Sequence, residues 1–376
     1  MRTRGRTILR TTAVLVLAVV MAASPTAGSE ARFETPAANR AAPPPPPVAV
    51  KPPLADPSIE VTDAGLVAVS TGTWVPRATA PGPGGPWTTA PTGLAMLPTW
   101  ATGPEIWAAD IVRIDRRWLL YFSAPVAGLG RQGRCIGVAV SDSPTGNFTP
   151  LEDRPLVCPR RAKAPRAYDD TVPEPGEPDH PRAGAIDPSV FGDKAGKQYL
   201  LYKTQGRPAT LRMVPLTKRG TRVSRIRGEP RPSTELMRSR KIIENPVLVR
   251  RRSEYVLFYS QGNFRNCHYK TLWRRAGTPT KLAKAPKHAL LNRSRTGVCG
   301  PGGADIARIG GSTQMFFHGW VCRTGPGSAD FTACHSHFHV ERDSDLDPRR
   351  VLYAARLSWT STQRPRVRFF HVPAGG

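Results

Sequence analysis

An all-β chain folded as a five-bladed β-propeller is predicted by three features of the sequence: a five-fold repeat, an aromatic run after most copies, and turn-rich connections. The repeat reads Ala55-Asp56-Pro57-Ser58-Ile59, Ala109-Asp110-Ile111-Val112, Ile186-Asp187-Pro188-Ser189-Val190, Glu244-Asn245-Pro246-Val247-Leu248 and, more weakly, Ala304-Asp305-Ile306-Ala307. Its acids, Asp56, Asp110, Asp187, Glu244 and Asp305, recur at intervals of 54 to 77 residues, the size of a blade made of several short strands. A run rich in aromatic and β-branched residues follows the last four copies, at 118–123, 198–204, 255–260 and 314–318; the first copy has only 66–70. Such runs read as second strands packed between blades. Third strands are expected at 136–141, 210–215, 269–274 and 336–340. The Gly/Pro clusters at 81–86 and 173–178 read as loops, and 160–182 as an insertion. No amphipathic helix longer than two turns is expected.

At the N-terminus, Arg2, Arg4, Arg6 and Arg10 precede an apolar run at 13–23 and then Ala27-Gly28-Ser29. The run falls short of the about 20 apolar residues that a membrane span needs, so residues 1–28 read as a cleaved secretory signal peptide. A secreted, extracellular chain without stable membrane insertion follows. Residues 29–53, with five prolines at 43–47 and Pro52-Pro53, read as a Pro/Ala-rich linker. Residues 54–376 are then the propeller domain.

Six cysteines form an even set, which in an exported chain favours disulfides. Fifteen connectivities are possible; pairing sequence neighbours would close loops within a blade or between adjacent ones, giving Cys135–Cys158, Cys267–Cys299 and Cys322–Cys334. No CxxC spacing supports a zinc ribbon or a thioredoxin-like motif. The net charge of +26 falls to about +22 without residues 1–28. The basic residues are scattered, at 160–161, 238–241, 250–252, 274–275 and 349–350, and belong to no nucleic-acid-binding module. They read as an Arg-rich solvated surface, with attraction to an anionic cell envelope or an acidic polysaccharide as the functional counterpart. Nucleic acid is not an expected partner.

A propeller turns the first strand of every blade toward the axis, so the repeated acids converge. Crowded carboxylates repel, and at least one should hold its proton near neutral pH. One carboxylic acid can then donate while an ionised one accepts.

Over residues 54–353 the sequence resembles glycoside hydrolase family 43. The resemblance rests on Ala55-Asp56-Pro57-Ser58, on Trp107-Ala108-Ala109-Asp110-Ile111-Val112 with the run at 118–123, on Gly137-Val138-Ala139-Val140-Ser141-Asp142-Ser143-Pro144-Thr145-Gly146, on Ile186-Asp187-Pro188-Ser189-Val190-Phe191 and on Glu244-Asn245-Pro246. It implies an inverting, monomeric glycosidase acting on arabinofuranosyl-type linkages of arabinan- or arabinoxylan-like polysaccharide, with no required cofactor. A catalytically inactive carbohydrate- or envelope-binding propeller, and a hydrolase of another furanoside such as fructan or D-arabinan, are the alternatives. By the same resemblance Asp56 matches the general base, Glu244 the general acid, and Asp187 the carboxylate that orients that acid and raises its pKa. Asp110 matches a substrate-positioning acid, with Ala109 where the family usually has Pro. An inverting pair needs about 6.5–9.5 Å between carboxyls to admit water.

Trp74, Trp107, Phe264 and Trp320 lie near the ends of expected inner strands and are candidates to stack on a sugar, Trp74 and Trp107 foremost; aromatic strand residues are otherwise core. His318 matches a His that arabinan-cleaving relatives place near a central water or calcium cluster, so a substrate or ion contact competes with a packed structural role. A structural calcium is possible, but no metal site is assigned. Asp305 reads as a turn residue rather than a further axial acid. His335, His337 and His339 alternate and would share one face of a strand; their linear spacing suits a tetrahedral metal site poorly, which leaves a polar strip.

Overall fold

The computed structural model describes residues 43–173, 184–224 and 233–373. The expected signal peptide, most of the linker and part of the 160–182 insertion lie outside the described residues. Five antiparallel sheets are present. After β1 (Ser58–Thr62) and β2 (Gly65–Val69), the two-residue β3 (Gly72–Thr73) pairs with the second sheet, and β4 (Arg77–Ala80) and β5 (Thr88–Ala90) complete the first. Blade two is β6 (Glu105–Ile114), β7 (Arg117–Pro125), β8 (Arg134–Ser141) and β9 (Thr149–Pro150). Blade three is β10 (Ala185–Gly192), β11 (Gln198–Thr204), β12 (Ala209–Pro215) and β13 (Thr234–Ser239). Blade four is β14 (Ile243–Arg251), β15 (Glu254–Gln261), β16 (Lys270–Ala276) and β17 (His288–Leu291). Blade five has β18 (Cys299–Ile309) and β19 (Ser312–Arg323), with β20 (Phe331–Ala333) as a side hairpin, then β21 (Arg349–Trp359) and β22 (Pro365–Phe370).

The strands β1, β6, β10, β14 and β18 touch in a ring around the axis. The second strands carry the aromatic runs, and residues such as Leu120, Phe122, Leu200, Tyr202, Phe258, Tyr259, Phe316 and Phe317 are fully buried in the layers between blades. Period-two alternation is lost in these runs because both faces of each sheet meet a neighbour.

In or just before each inner strand one equivalent residue is held in the left-handed region: Asp56 (φ 47°), Ala108 (40°), Asp187 (56°), Asn245 (50°) and Gly303 (58°), with Gly300 (62°) a second in blade five. In blades two to five the pairing register shifts across that residue, a bulge that re-aims the neighbouring side chains. A left-handed residue with a Cβ costs roughly 1–2 kcal/mol, and Asp and Asn tolerate it best. The strained N–H is capped from the preceding blade: Thr71 Oγ1 accepts from Ala108 N, Ser123 Oγ from Asp187 N, Ser260 Oγ from Gly303 N, and His318 Nδ1 from Asp56 N. Ser123, Lys203, Ser260 and His318 occupy matching positions at the ends of the aromatic runs. Lys203 cannot accept, and Asp187 Oδ2 caps Asn245 N in its place.

The repeat is therefore offset from the sequence reading. Asp56 and Asp187 are at the left-handed position, Glu244 precedes it by one residue, and Asp110 and Asp305 follow it by two. The five acids are not equivalent.

Other differences have local causes. The third strand of blade five is β21, and residues 336–340 form turns with no named strand. Phe338, 1% exposed, anchors that segment against Trp320 and the cysteines of two disulfides. Without a strand, His335, His337 and His339 share no strand face. Val48 and Ala49, inside the segment expected as linker, are buried and pair with Leu352 of β21; both donate a backbone N–H to Leu352, which the prolines before them lack. Several basic residues are not solvated. Arg77 is 1% exposed and donates to the carbonyls of Pro91, Pro144, Thr145 and Gly146, which ties blade one to the turn at 142–146. Arg134, Lys203 and Arg212 are buried as well. The disulfides join Cys135 to Cys158, Cys267 to Cys299 and Cys322 to Cys334, the sequence-adjacent pairing. Among the described residues, no helix is long and apolar enough to cross a membrane.

Candidate active site

The inner strands begin at a cleft of about 520 Å³, into which Asp56, Asp187 and Glu244 face together with Lys203 and Arg350. Below it, the five bent tripeptides meet around an axial cavity of about 30 Å³, lined by Asp56, Asp110, Asp187 and Asp305. Bulges on separate blades thus converge three acids that are far apart in sequence.

Asp56 accepts from Thr71 Oγ1 and from Arg350 Nη1, both at Oδ2 and both at 2.8 Å. Oδ1 faces His318, whose Nδ1 lies 3.3 Å away. Burial works to raise the Asp56 pKa, but the Arg350 guanidinium and these hydrogen bonds outweigh it and hold the carboxyl below its ordinary value. His318, fully buried and stacked on Tyr269, is pushed down to about 3 by burial, so it is neutral and its Nδ1 accepts from the Asp56 N–H. It supports Asp56 from beneath and does not line the cleft. Its Nε2 has no hydrogen-bond partner among the described residues. Among the described residues, no three His, Cys, Asp or Glu side chains are grouped to hold a metal ion.

Glu244 is held at both oxygens: Lys203 Nζ lies 2.7 Å from Oε2, and the Tyr269 hydroxyl lies 2.7 Å from Oε1 and 2.8 Å from Asn245 Oδ1. Asp187 is pushed up to about 7 by burial, with Lys203 opposing and Glu244 reinforcing the shift. Burial works to lower the Lys203 pKa, but the carboxylates of Glu244 and Asp187 outweigh it and raise it above its ordinary value. The site therefore contains one carboxyl held down and one poised near neutrality.

Asp110 lies below the cleft and does not line it. It accepts from Ser58 Oγ and from Val190 N, joining three blades, and its burial raises its pKa well above the usual carboxylate range. Asp110, expected to position substrate, thus ties blades together beneath the cleft. Asp305 is in β18 rather than in a turn. It accepts from Ile59 N and Ile306 N, and burial pushes it up to about 6. Glu60 is raised to about 7, first by burial and then by Asp305.

Of the aromatic candidates, Trp107 and Phe264 line the cleft; Arg134 stacks on the Trp107 ring and Arg350 on Phe264. Trp74 packs against the core shared by blades one and two, outside the cleft lining. Trp320 is buried, and its indole N–H donates to the Phe264 carbonyl, so it supports Phe264 from behind. Sequence reasoning missed Lys203, Arg350, Tyr269 and Thr71. Lys203 ends an aromatic run where Ser123 and Ser260 end theirs, a signal that could have found it. Arg350 was hidden in the basic pair Arg349-Arg350.

The model of the glycosyl hydrolases family 43 matches residues 85–342. The chain belongs to this family. This glycosyl hydrolase has no match among curated proteins, but solved structures share its five-bladed fold. An exo-1,5-α-L-arabinanase from a bovine ruminal metagenomic library is 18% identical, with 85% of this chain and 97% of that one covered at a TM-score of 0.59. A Cellvibrio cellulosa α-L-arabinanase complexed with arabinohexaose is 17% identical over 84% and 95% of the two chains, TM-score 0.59. An endo-1,4-β-xylanase from Bacteroides thetaiotaomicron is 16% identical over 84% and 94%, TM-score 0.58.

Proposed function

We propose that this glycosyl hydrolase is secreted and cleaves arabinofuranosyl-type linkages of polysaccharide with inversion, Asp56 acting as base, Glu244 as acid and Asp187 as its modulator. The observation that carries the assignment is the contrast between Asp56, held ionised by Arg350 and Thr71, and Asp187, poised at about 7 beside Glu244. Asp56 is thereby the carboxylate fit to take a proton, while Asp187 keeps a proton close to Glu244, the division that acid and base work needs. Water held at the Asp56 carboxylate gives that carboxylate its proton as it attacks the anomeric carbon. Glu244, in its protonated form, gives its proton to the departing glycosidic oxygen on the other side and is left as the carboxylate that Lys203 and Tyr269 hold. Asp187 sets the charge beside it. The reaction uses protein groups and water and requires no cofactor.

Similarity to two arabinanases supports the sugar. The signal-like residues 1–28 and the three disulfides support export to an oxidising compartment. One chain supplies all five blades and every acid, which supports action as a monomer.

Aryl arabinofuranosides and linear arabinan should be hydrolysed, with the first-formed anomer inverted by proton NMR. Glu244→Ala should lose at least about a hundredfold in kcat. A retained anomer would overturn the Asp56 and Glu244 roles, and equal inactivity of both proteins across a glycan panel would overturn the enzyme reading.

A further inference from the structure

Blades three and four meet at the rim of the cleft in a depression of about 410 Å³ that shares Arg207 and Asn263 with the cleft itself. Four basic side chains, Arg207, Arg240, Lys241 and Lys270, line it with His268, and among the described residues no carboxylate does. Arg207 sits in the turn before β12, Arg240 and Lys241 immediately before β14, and Lys270 at the start of β16, so all four belong to the strand ends that open on the cleft. The chain has 54 basic residues against 28 acids, so some unpaired bases are inevitable. Their distribution is what matters. Some exposed arginines elsewhere share the few acids, Arg160 and Arg166 with Asp170, Arg222 with Glu152, Arg265 with Glu341, Arg323 and Arg349 with Asp347, and others such as Arg116 and Arg117 stand alone among the described residues; what sets these four apart is that they gather in one concavity beside the cleft. In the depression, none of the four cations has an ion pair or a side-chain hydrogen bond among the described residues. Like charges gathered in a concavity repel, and an anion arriving there relieves them. Arginine forks and lysine ammoniums recognise carboxylate and phosphate oxygens alike.

We propose that this depression is an anion subsite, and that the glycan bound in the cleft carries acidic groups, carboxylate or phosphate, which dock against Arg207, Arg240, Lys241 and Lys270. The substrate class is an acidic polysaccharide rather than a neutral one. The proposal rests on the reading of the cleft as a glycan site.

Two matched polymer pairs test it: a glucuronate-bearing arabinoxylan against the same polymer with its carboxylates reduced to hydroxymethyl groups, and a phosphorylated arabinan against its phosphatase-treated form. Binding is measured directly, hydrolysis in parallel, at low and high sodium chloride. The full-length protein should bind the charged member of at least one pair about tenfold more tightly at low salt, with the preference shrinking as salt screens it. The pair that shows the preference identifies the acidic group. R240E/K241E should lose the preference while hydrolysing neutral linear arabinan within about twofold of wild type, since exposed charges at the rim act little on a neutral chain. R116E/R117E, a reversal of equal size in the β6–β7 turn at the far end of the strands from the cleft, should keep it. Thermal melting shows that both variants are folded. Absence of a charge preference in both pairs overturns the proposal, as does an equal loss in R116E/R117E, which would make the attraction a property of net charge. A charge-dependent affinity without cleavage would leave the subsite standing and remove the hydrolase reading; cleavage of neutral arabinan without charge preference would do the opposite.

Discussion

Lys203 Nζ lies 2.7 Å from Glu244 Oε2, with only 10% and 12% of the two side chains exposed. The lysine stands where two other blades use a serine to cap the next blade's bent residue, so a structural position has been given over to the candidate acid. The same ammonium lowers Asp187, whose burial otherwise drives it up. Lys203→Met should therefore reduce kcat by about ten- to a hundredfold with a small change in KM, as expected when a proton donor loses its positioning. The limb of the pH–rate profile set by Asp187 should move to higher pH. An unmoved profile with unchanged kcat would remove Lys203 from the machinery.

Arg350 bears on the base in the same manner. Its guanidinium holds Asp56 low against burial, so Arg350→Met should let the Asp56 pKa rise. The acidic limb of kcat/KM would then shift upward, and the loss of activity would be larger at pH 5 than at pH 8. Equal loss at both values would mean that Arg350 acts only on binding.

Asp305 gives a stability prediction. A buried carboxyl raised to about 6 favours its protonated form in the folded protein, so its contribution to stability is present below the unfolded value, near 4, and is lost as pH rises to about 6. Asp305→Asn cannot ionise and escapes that loss. The melting temperature of the variant relative to wild type should rise by a few degrees between pH 4 and pH 6.5 and be flat above it. A constant offset would show that Asp305 does not titrate in this window.

The Cys267–Cys299 bridge, with 32 residues of separation, joins the β15–β16 loop to the start of β18. C267A/C299A should lose about 2–4 kcal/mol by the loop-closure relation, read as a lower denaturation midpoint. Because the bridge clusters with Trp320 and Phe338 behind Phe264, KM should rise as well. A stability loss with unchanged KM would confine its role to the fold.

Much of the fold was legible because propeller blades repeat, and the aromatic runs mark second strands wherever sheets stack. Asp56, Asp187 and Glu244 were legible as cleft residues for the same reason. Their inequivalence was not, since a one-residue step across a bulge re-aims a side chain without altering the motif's look. Asp110 and Asp305 were misplaced by that step. Arg350 reaches Asp56 across 294 positions, a distance no local pattern encodes. The alternating histidines failed because alternation describes a face only where there is a strand, and Phe338 turns the chain instead.

The ring of blades has a single seam. Among the described residues no strand from one end of the chain enters the sheet at the other end; blades one and five are joined by the His318 bond to Asp56 N, the Arg350 bond to Asp56, the Asp305 bond to Ile59 N, and the pairing of Ala49 with Leu352. The candidate base is thus also the clasp. A nascent chain that has completed four blades already carries Asp56, Asp187 and Glu244, yet lacks the two residues that hold Asp56 in place and ionised. Chemistry in this protein waits for the last blade, and anything that prises the seam open should silence the enzyme before it unfolds it.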